Sequence, residues 1–370
     1  MSCVYGADRV NEGPDRAVPA KAPDTLSVLG LRDARRFHAG LSGHVGPAYN
    51  HPRTQSYAGR VSHLSPDLFL AGGDDVPPAL TVTRILTAWT VDPWLAAVIV
   101  AVGGLYLYGV STLTRRGDKW PIGRTVAFVG GGLGTMVVAT MSSLGTYDDT
   151  LISVHMIQHM VLSMVTPVFL CLGAPVTLAL RTLPVRWRKR LVRLLHSRFA
   201  RVMSFPLVTG VLFVATPFAL YFTGWYQATL EHPYLHEVTH LHFILVGSLW
   251  FWPLLGVDPV PNRLAYPFRL LAIFATLPFH AILGLTIMQD NDLLAASYYT
   301  SLGRTWGSSP LADQHAAGGI LWGSGDLVGF FVFLALGIQW AQQSKREAER
   351  EDRRLDRLEA EEARRVSSVT

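Results

Sequence analysis

The stretch 155-HMIQHM-160 lies close to the start of an apolar run, Leu151 to Leu180, that is long enough to cross a bilayer as a helix. Residues four apart share one face of a helix, so His155 and His159 can reach a common metal ion. Met156, Met160 and Met164 form the adjoining stripe. Ionisable side chains inside a membrane are costly and usually face a bundle interior or a cavity. The stretch therefore predicts a transmembrane helix that carries a metal site.

The ligand types narrow the identity of the metal. Thioether sulfur and imidazole nitrogen together suit Cu(I), whereas carboxylate and water suit magnesium or calcium, and structural zinc usually recruits cysteine. The two cysteines, Cys3 and Cys171, are too far apart to form a CxxC site. Copper is the predicted metal, with zinc or haem as alternatives. The structural interpretation is that the histidines hydrogen-bond between helices and the methionines only pack.

The composition is typical of an integral membrane protein. Of the 370 residues, 49% are hydrophobic and 16% are charged. The formal net charge is +5, but lysine and arginine occur in short blocks beside the apolar runs. Nucleic-acid binding would require a basic patch interleaved with aromatic side chains. We therefore expect contact with membrane lipid and no nucleic-acid partner.

Seven apolar runs have the length of a transmembrane helix. They are Pro93 to Leu113, Thr125 to Leu144, Leu151 to Leu180, Met203 to Trp225, His236 to Leu255, Leu270 to Gln289 and Ala312 to Gln339. The predicted fold class is all-α integral membrane, with seven transmembrane helices in a domain at residues 91–341. Residues 1–90 are polar and predict a largely disordered tail. Residues 342–370 alternate acidic and basic side chains and predict a charged helix.

The basic residues alternate between the two sides of the predicted bundle. Connections after the first, third and fifth runs, and the C-terminal tail, are rich in lysine and arginine. Those after the second and fourth runs contain neither, and the one after the sixth contains only Arg304. The positive-inside rule therefore predicts an N-terminus outside and a C-terminal helix in the cytoplasm. The N-terminal tail is also basic, but long segments translocate largely regardless of charge.

This topology brings histidines from further runs into the same leaflet. His236 and His240 repeat the four-residue spacing at the outer end of the fifth run, and His315 enters at the outer end of the seventh. His280 lies nearer mid-membrane, where a ligand, a relay and an interhelical hydrogen bond are all open interpretations. Two pairs at matched depth predict a site that opens to the outside. Acidic residues ring the same mouth: Asp148, Asp149, Glu237, Asp290, Asp292 and Asp313.

Several stretches of the chain together resemble one known family. They are 155-HMIQHM-160 with 172-LGAP-175, His236 to His240 running into 250-WFWPL-254, 279-FHA-281 with Gly284, and Trp306-Gly307 through 311-LADQ-314 to 318-GGILW-322. These stretches resemble the integral membrane CtaG-type assembly factors of caa-type cytochrome c oxidase, over about residues 80–340. The resemblance supports His155, His159, His236, His240 and His280 residue by residue, whereas His315 depends on its spacing alone.

The resemblance implies a role in maturing a respiratory haem-copper oxidase in a bacterial plasma membrane. The predicted function is a non-enzymatic assembly factor that binds Cu(I) at an outer-leaflet site and passes it to an oxidase subunit. The predicted metal ligands are His155, His159, His236, His240, His280, His315, Met156 and Met160. The expected partners are cytochrome c oxidase subunits, membrane lipid and a soluble copper donor.

Two alternative functions use many of the same residues. A zinc-dependent seven-span membrane hydrolase would draw on Asp148, Ser153, His155, His236 and His240. A bis-histidine haem protein would ligate haem between the third and fifth runs. The methionine stripe has no role in the hydrolase, and no carboxylate is clearly placed as a general base, so the sequence favours the copper-binding assembly factor.

Overall fold

A computed structural model describes residues 76–261 and 263–369 of the chain. Within these ranges all regular secondary structure is helical. The predicted disordered tail at residues 1–90 therefore lies mostly outside the described residues. The helices, labelled in chain order, are α1 (Val82–Thr87), α2 (Pro93–Arg115), α3 (Ile122–Tyr147), α4 (Ile152–Thr182), α5 (Val185–Leu195), α6 (Arg198–Met203), α7 (Pro206–Phe222), α8 (Trp225–Glu231), α9 (Pro233–Leu255), α10 (Tyr266–Gln289), α11 (Ala296–Ser301) and α12 (Pro310–Val369).

Six of these helices are long and apolar enough to cross a membrane: α2, α3, α4, α9, α10 and α12. Helices α7 and α8 meet at a bend of 69° and pass the same test only when they are taken together. The all-helical prediction is confirmed, with six candidate spans in the described residues, or seven if the bent pair is one span. Helix α12 is continuous, so the last span and the predicted charged helix at 342–370 form one element.

Helix α4 changes its winding directly after the histidine stretch. It is α-helical to Met160, winds as a π turn over Val161–Val165, and resumes as an α-helix at Thr166. Pro167 accounts for the irregularity, because it lacks the N–H that would bond to the carbonyl of Ser163. Helix α9 packs closely against this turn at Gly247, where a Cβ atom would lie 2.1 Å from the Ser163 carbonyl oxygen.

Helices α10 and α12 also cross at small residues. A Cβ atom on Gly284 would lie 2.6 Å from the carbonyl oxygen of Gly318, so only glycine permits this approach. Further along the same interface, a Cβ atom on Gly325 would lie 3.0 Å from Cδ2 of His280. The crossing therefore places His280 directly against α12.

The start of α4 is attached to the start of α12. The Ser153 hydroxyl donates to Asp313 Oδ1 at 2.6 Å, and the Ser153 backbone N–H donates to Asp313 Oδ2 at 3.3 Å. A carboxylate at a helix N-terminus satisfies unpaired backbone N–H groups and complements the helix dipole. The next residue, Gln314, holds α12 to the connection between α10 and α11, because its side-chain oxygen accepts from the Leu294 backbone N–H at 2.7 Å. The two bonds of Ser153 therefore hold the start of α4, two residues before His155, against α12.

Candidate metal centre

Four histidines from two helices form a buried cluster. Helix α4 contributes His155 and His159, whose ring centroids lie 4.0 Å apart, and α9 contributes His236 and His240, 4.2 Å apart. Across the helix interface, the rings of His155 and His236 stack at 5.1 Å and those of His159 and His240 lie 5.9 Å apart. Each ring is no more than 5% exposed. The structure thus brings together the two pairs that the sequence singled out.

The hydrogen bonds of His155 define its tautomer. Its Nδ1 lies 3.0 Å from the backbone carbonyl oxygen of Asp148. A carbonyl oxygen only accepts, so Nδ1 carries the hydrogen and Nε2 presents its lone pair. Within the described ranges, this buried Nε2 has no hydrogen-bond partner. His155 therefore offers an uncompensated nitrogen lone pair to the cluster.

A tyrosine defines the tautomer of His159 in the same way. Tyr221 Oη lies 3.1 Å from His159 Nδ1 and 3.3 Å from the sulfur of Met156. A thioether sulfur accepts hydrogen bonds only, so the tyrosine O–H donates to Met156 and its oxygen accepts from His159 Nδ1–H. His159 Nε2 is then a second buried lone pair, and it also has no hydrogen-bond partner in the part of the chain that the structure describes.

Gln158 orients His240. Its amide nitrogen donates to the Ala139 carbonyl oxygen at 3.1 Å and to Asp148 Oδ2 at 2.6 Å, and both partners are acceptors. The amide oxygen of Gln158 therefore faces His240 Nε2, at 3.0 Å, and accepts its N–H. The lone pair of His240 is left on Nδ1, which lies 3.5 Å from Glu237 Oε2. A cation shared by this nitrogen and the carboxylate would be well placed.

Two overlapping ligand sets have the geometry to hold a metal ion. One consists of His155, His159 and His236, and the other of Asp148, His236 and His240, with the ligand atoms of each set within 4.8 Å of one another. His236 belongs to both sets. The first set supplies only imidazole, which suits copper and zinc, and the second adds a carboxylate, which suits zinc. The buried lone pairs of His155 and His159 fit a cation, which would compensate both.

The other predicted ligands lie outside the histidine cluster. Met156, Met160 and His280 line a small cavity beside it, together with His159. His315 is not part of either ligand set; its Nε2 lies 3.1 Å from the backbone carbonyl oxygen of Asp290, where α10 ends. The structure thus places His315 at a helix connection, where its hydrogen bond stabilises the contact between α10 and α12.

Sequence reasoning assigned no role to three tyrosines beside the cluster. Tyr221 contacts His159, the ring of Tyr226 lies 5.1 Å from that of His155, and the hydroxyls of Tyr226 and Tyr299 lie 2.7 Å apart. Burial raises the pKa of Tyr299 well above its usual value, so it is a neutral hydrogen-bonding group at any physiological pH. The available signal was weak: tyrosines at the ends of apolar runs are also typical of membrane interfaces.

Comparison with known proteins identifies one matching family and several relatives. A family model described as cytochrome c oxidase caa3 assembly factor matches residues 104–343. Uncharacterized proteins of Mycobacterium bovis and Mycobacterium tuberculosis are each 42% identical over 299 residues, which is 78% of this chain and 44% of the relative. One of Mycobacterium leprae is 38% identical over 297 residues, 78% of this chain and 45% of the relative. The chain therefore spans less than half the length of these relatives, and no solved structure matches.

Proposed function

The chain belongs to the family of cytochrome c oxidase caa3 assembly factors, and from that premise we propose that it holds copper at the four-histidine cluster and passes it to an oxidase subunit. One observation carries the proposal: the Nε2 atoms of His155 and His159 are buried lone pairs without a hydrogen-bond partner in the described residues. Leaving a buried polar atom unpaired costs about 1–3 kcal/mol. A bound metal ion removes that cost for both atoms at once.

The surrounding residues keep the cluster ready to bind. Asp148 and Tyr221 accept the Nδ1 hydrogens of His155 and His159, and Gln158 accepts the Nε2 hydrogen of His240. Partners of this kind orient metal-binding histidines and select the tautomer that binds. Imidazole ligands are neutral and exchangeable, which suits a protein that must release its cargo as well as capture it.

The topology proposed from the basic residues places the cluster on the outer side of a bacterial plasma membrane, with the N-terminus outside and the C-terminal helix in the cytoplasm. Copper would arrive from a soluble donor on that side. An oxidase subunit would dock at the same end of the bundle to receive it. The protein is then a non-catalytic partner of the oxidase, with no chemical step of its own.

A zinc-dependent function is the second candidate, because Asp148, His236 and His240 form a nitrogen and oxygen set that suits zinc. The hydrolase alternative also needs Ser153 near the metal, but this hydroxyl donates to Asp313 at the start of α4. Haem ligation has less support, since the cavity beside the cluster, about 20 Å³, has room for little more than one water-sized group.

The proposal is tested in cells that lack the protein. The wild-type chain, a variant with His155→Ala and His159→Ala, and a matched His315→Ala variant are expressed to equal levels in the membrane, and the copper content and activity of the oxidase are measured. We expect the double variant to leave the oxidase short of copper, with partial recovery in copper-supplemented medium, and His315→Ala to behave as wild type. Full oxidase assembly with the double variant would contradict the proposal.

A further inference from the structure

We propose that the protein contains a second copper site, separate from the histidine cluster, which holds Cu(I) in the cavity lined by Met156, Met160, His159 and His280. This proposal deepens the proposed function, since it rests on copper being the cargo. It divides the predicted ligands between two sites. The histidine station is the four-histidine cluster, and the thioether station is this cavity; His159 belongs to both.

The cavity has the size of a single-ion site. Its volume is about 20 Å³, enough for about one water-sized occupant. Two thioethers and two imidazoles contribute to its wall, Ser163, Thr216 and Tyr221 add hydroxyl groups, and aromatic and aliphatic side chains form most of the rest. None of the described residues that line it is a carboxylate. A wall of sulfur and imidazole donors without carboxylate selects Cu(I) over zinc.

His280 lines this cavity and has one ring nitrogen that its hydrogen bond does not use. Its Nδ1 lies 3.2 Å from the backbone carbonyl oxygen of Thr276, one turn earlier in α10, so Nδ1 carries the hydrogen and Nε2 carries the lone pair. Among the described residues this bond at Nδ1 is the hydrogen bond that His280 forms, and its Nε2 takes no part in it. A buried imidazole in a membrane helix that bonds only to its own helix is not explained by interhelical hydrogen bonding.

The charge of a Cu(I) ion in the membrane interior also has a counter-charge nearby. Asp326 of α12 interacts electrostatically with His280. One of its carboxylate oxygens, Oδ1, is buried and has no hydrogen-bond partner among the described residues. A buried carboxylate oxygen without a hydrogen bond is unfavourable, and a cation held beside it by neutral ligands reduces that penalty.

His159 connects the two stations. It lines the cavity and also belongs to the ligand set with His155 and His236. A copper ion that moves inward can therefore retain one imidazole while it exchanges the others for Met156 and Met160. The histidine station contains a carboxylate set that also suits zinc, and the thioether station does not, so passage between them would discriminate against zinc.

The test uses purified full-length protein, titrated anaerobically with Cu(I) and separately with Zn(II), together with X-ray absorption of the copper-loaded samples. We expect two Cu(I) per wild-type chain, one held by His155 and His236 and the other by the methionines with the single lone pair of His159, together with one Zn(II) and copper–sulfur scattering. Replacing both cavity methionines, Met156→Leu with Met160→Leu, conserves volume and removes the sulfur ligands. This variant should bind one Cu(I) and one Zn(II), without copper–sulfur scattering. Met164→Leu, a buried methionine of α4 outside the cavity wall, is the matched control and should match wild type.

Further variants separate the two stations. The variant with His236→Ala and His240→Ala should lose zinc and keep one sulfur-ligated Cu(I). Copper delivery to the oxidase by this variant tests the proposed function and not the second site. Loss of zinc in the methionine double variant would mean that the substitutions also damage the histidine cluster. The His280→Gln variant then replaces it as the test of the second site, and it should lose one Cu(I) and keep zinc. Two Cu(I) retained in the methionine double variant, no copper–sulfur scattering in wild type, or unchanged Cu(I) stoichiometry in His280→Gln would each overturn the second site.

Discussion

Gly247→Ala is expected to displace the two halves of the histidine cluster without altering any ligand. Gly247 lies on α9 against the π turn of α4, where an added Cβ would lie 2.1 Å from the Ser163 carbonyl oxygen and 2.7 Å from Cγ of Pro167. Real Cβ contacts stay beyond 3.0 Å. Because the main obstacle is backbone rather than a flexible side chain, α4 and α9 must separate by roughly 1 Å at this crossing.

The displacement acts on ligands nearby on the same helix. His240 lies seven residues before Gly247, about 10 Å along the axis of α9. Functional constellations need positions held within roughly 0.5 Å. We therefore expect copper affinity to fall by about 10–100-fold, as it does when a supporting contact of a metal ligand is lost. Overpacking should also lower the free energy of unfolding by about 1–3 kcal/mol.

Gly104→Ala is the matched control, because a Cβ there would meet nothing within 4 Å. It gains the helix propensity of alanine, worth up to about 1 kcal/mol, without steric conflict. Both variants are measured in detergent, by thermal unfolding followed through tryptophan fluorescence and by Cu(I) competition with a chromophoric chelator. If Gly247→Ala equals Gly104→Ala in both stability and affinity, the close approach of α4 and α9 does not position the cluster as described.

Three further changes test individual contacts. Tyr221→Phe removes the acceptor for His159 Nδ1–H and should weaken Cu(I) binding by about 10–100-fold in the same competition assay; unchanged affinity would show that the tyrosine does not orient the ring. Asp313→Ala removes the carboxylate that accepts from the start of α4 and should lower stability by about 1 kcal/mol in thermal unfolding; an equal melting temperature would argue against the cap. His315→Ala should leave the metal stoichiometry of the purified protein unchanged, since its Nε2 bonds to a backbone carbonyl oxygen; loss of one metal ion would restore it to the site.

The positions of the helices were largely predictable because a membrane imposes a minimum length on each span. The first predicted run starts at Pro93, as α2 does, and the sixth ends at Gln289, as α10 does. The fourth run, predicted as one helix from Met203 to Trp225, instead breaks after Phe222 into α7 and α8 with a 69° bend. Hydropathy records apolar length but not direction, and so the bend could not be read from it.

The candidate site was predictable where it depends on helical periodicity. The four-residue spacing of each histidine pair places both rings on one face, and matched depth in two helices brings the pairs together. The hydrogen bonds that select the tautomers depend on tertiary contacts. Gln158 lay inside the stretch that was singled out, yet its role appears only once Ala139, Asp148 and His240 surround it. His315 of α12 shared the predicted depth but contacts the residue after α10, because depth alone does not define which neighbour a side chain faces.

The most direct test of the central claim is the metal and haem content of the purified protein after anaerobic loading with Cu(I), Zn(II) or haem in turn. The wild-type chain should retain copper tightly. A variant with His155→Ala and His159→Ala should insert into membranes normally and lose copper, since His159 belongs to both proposed stations. Stoichiometric copper retained by that double variant would contradict the proposed site, and zinc retained in preference to copper by the wild-type chain would contradict the choice of cargo.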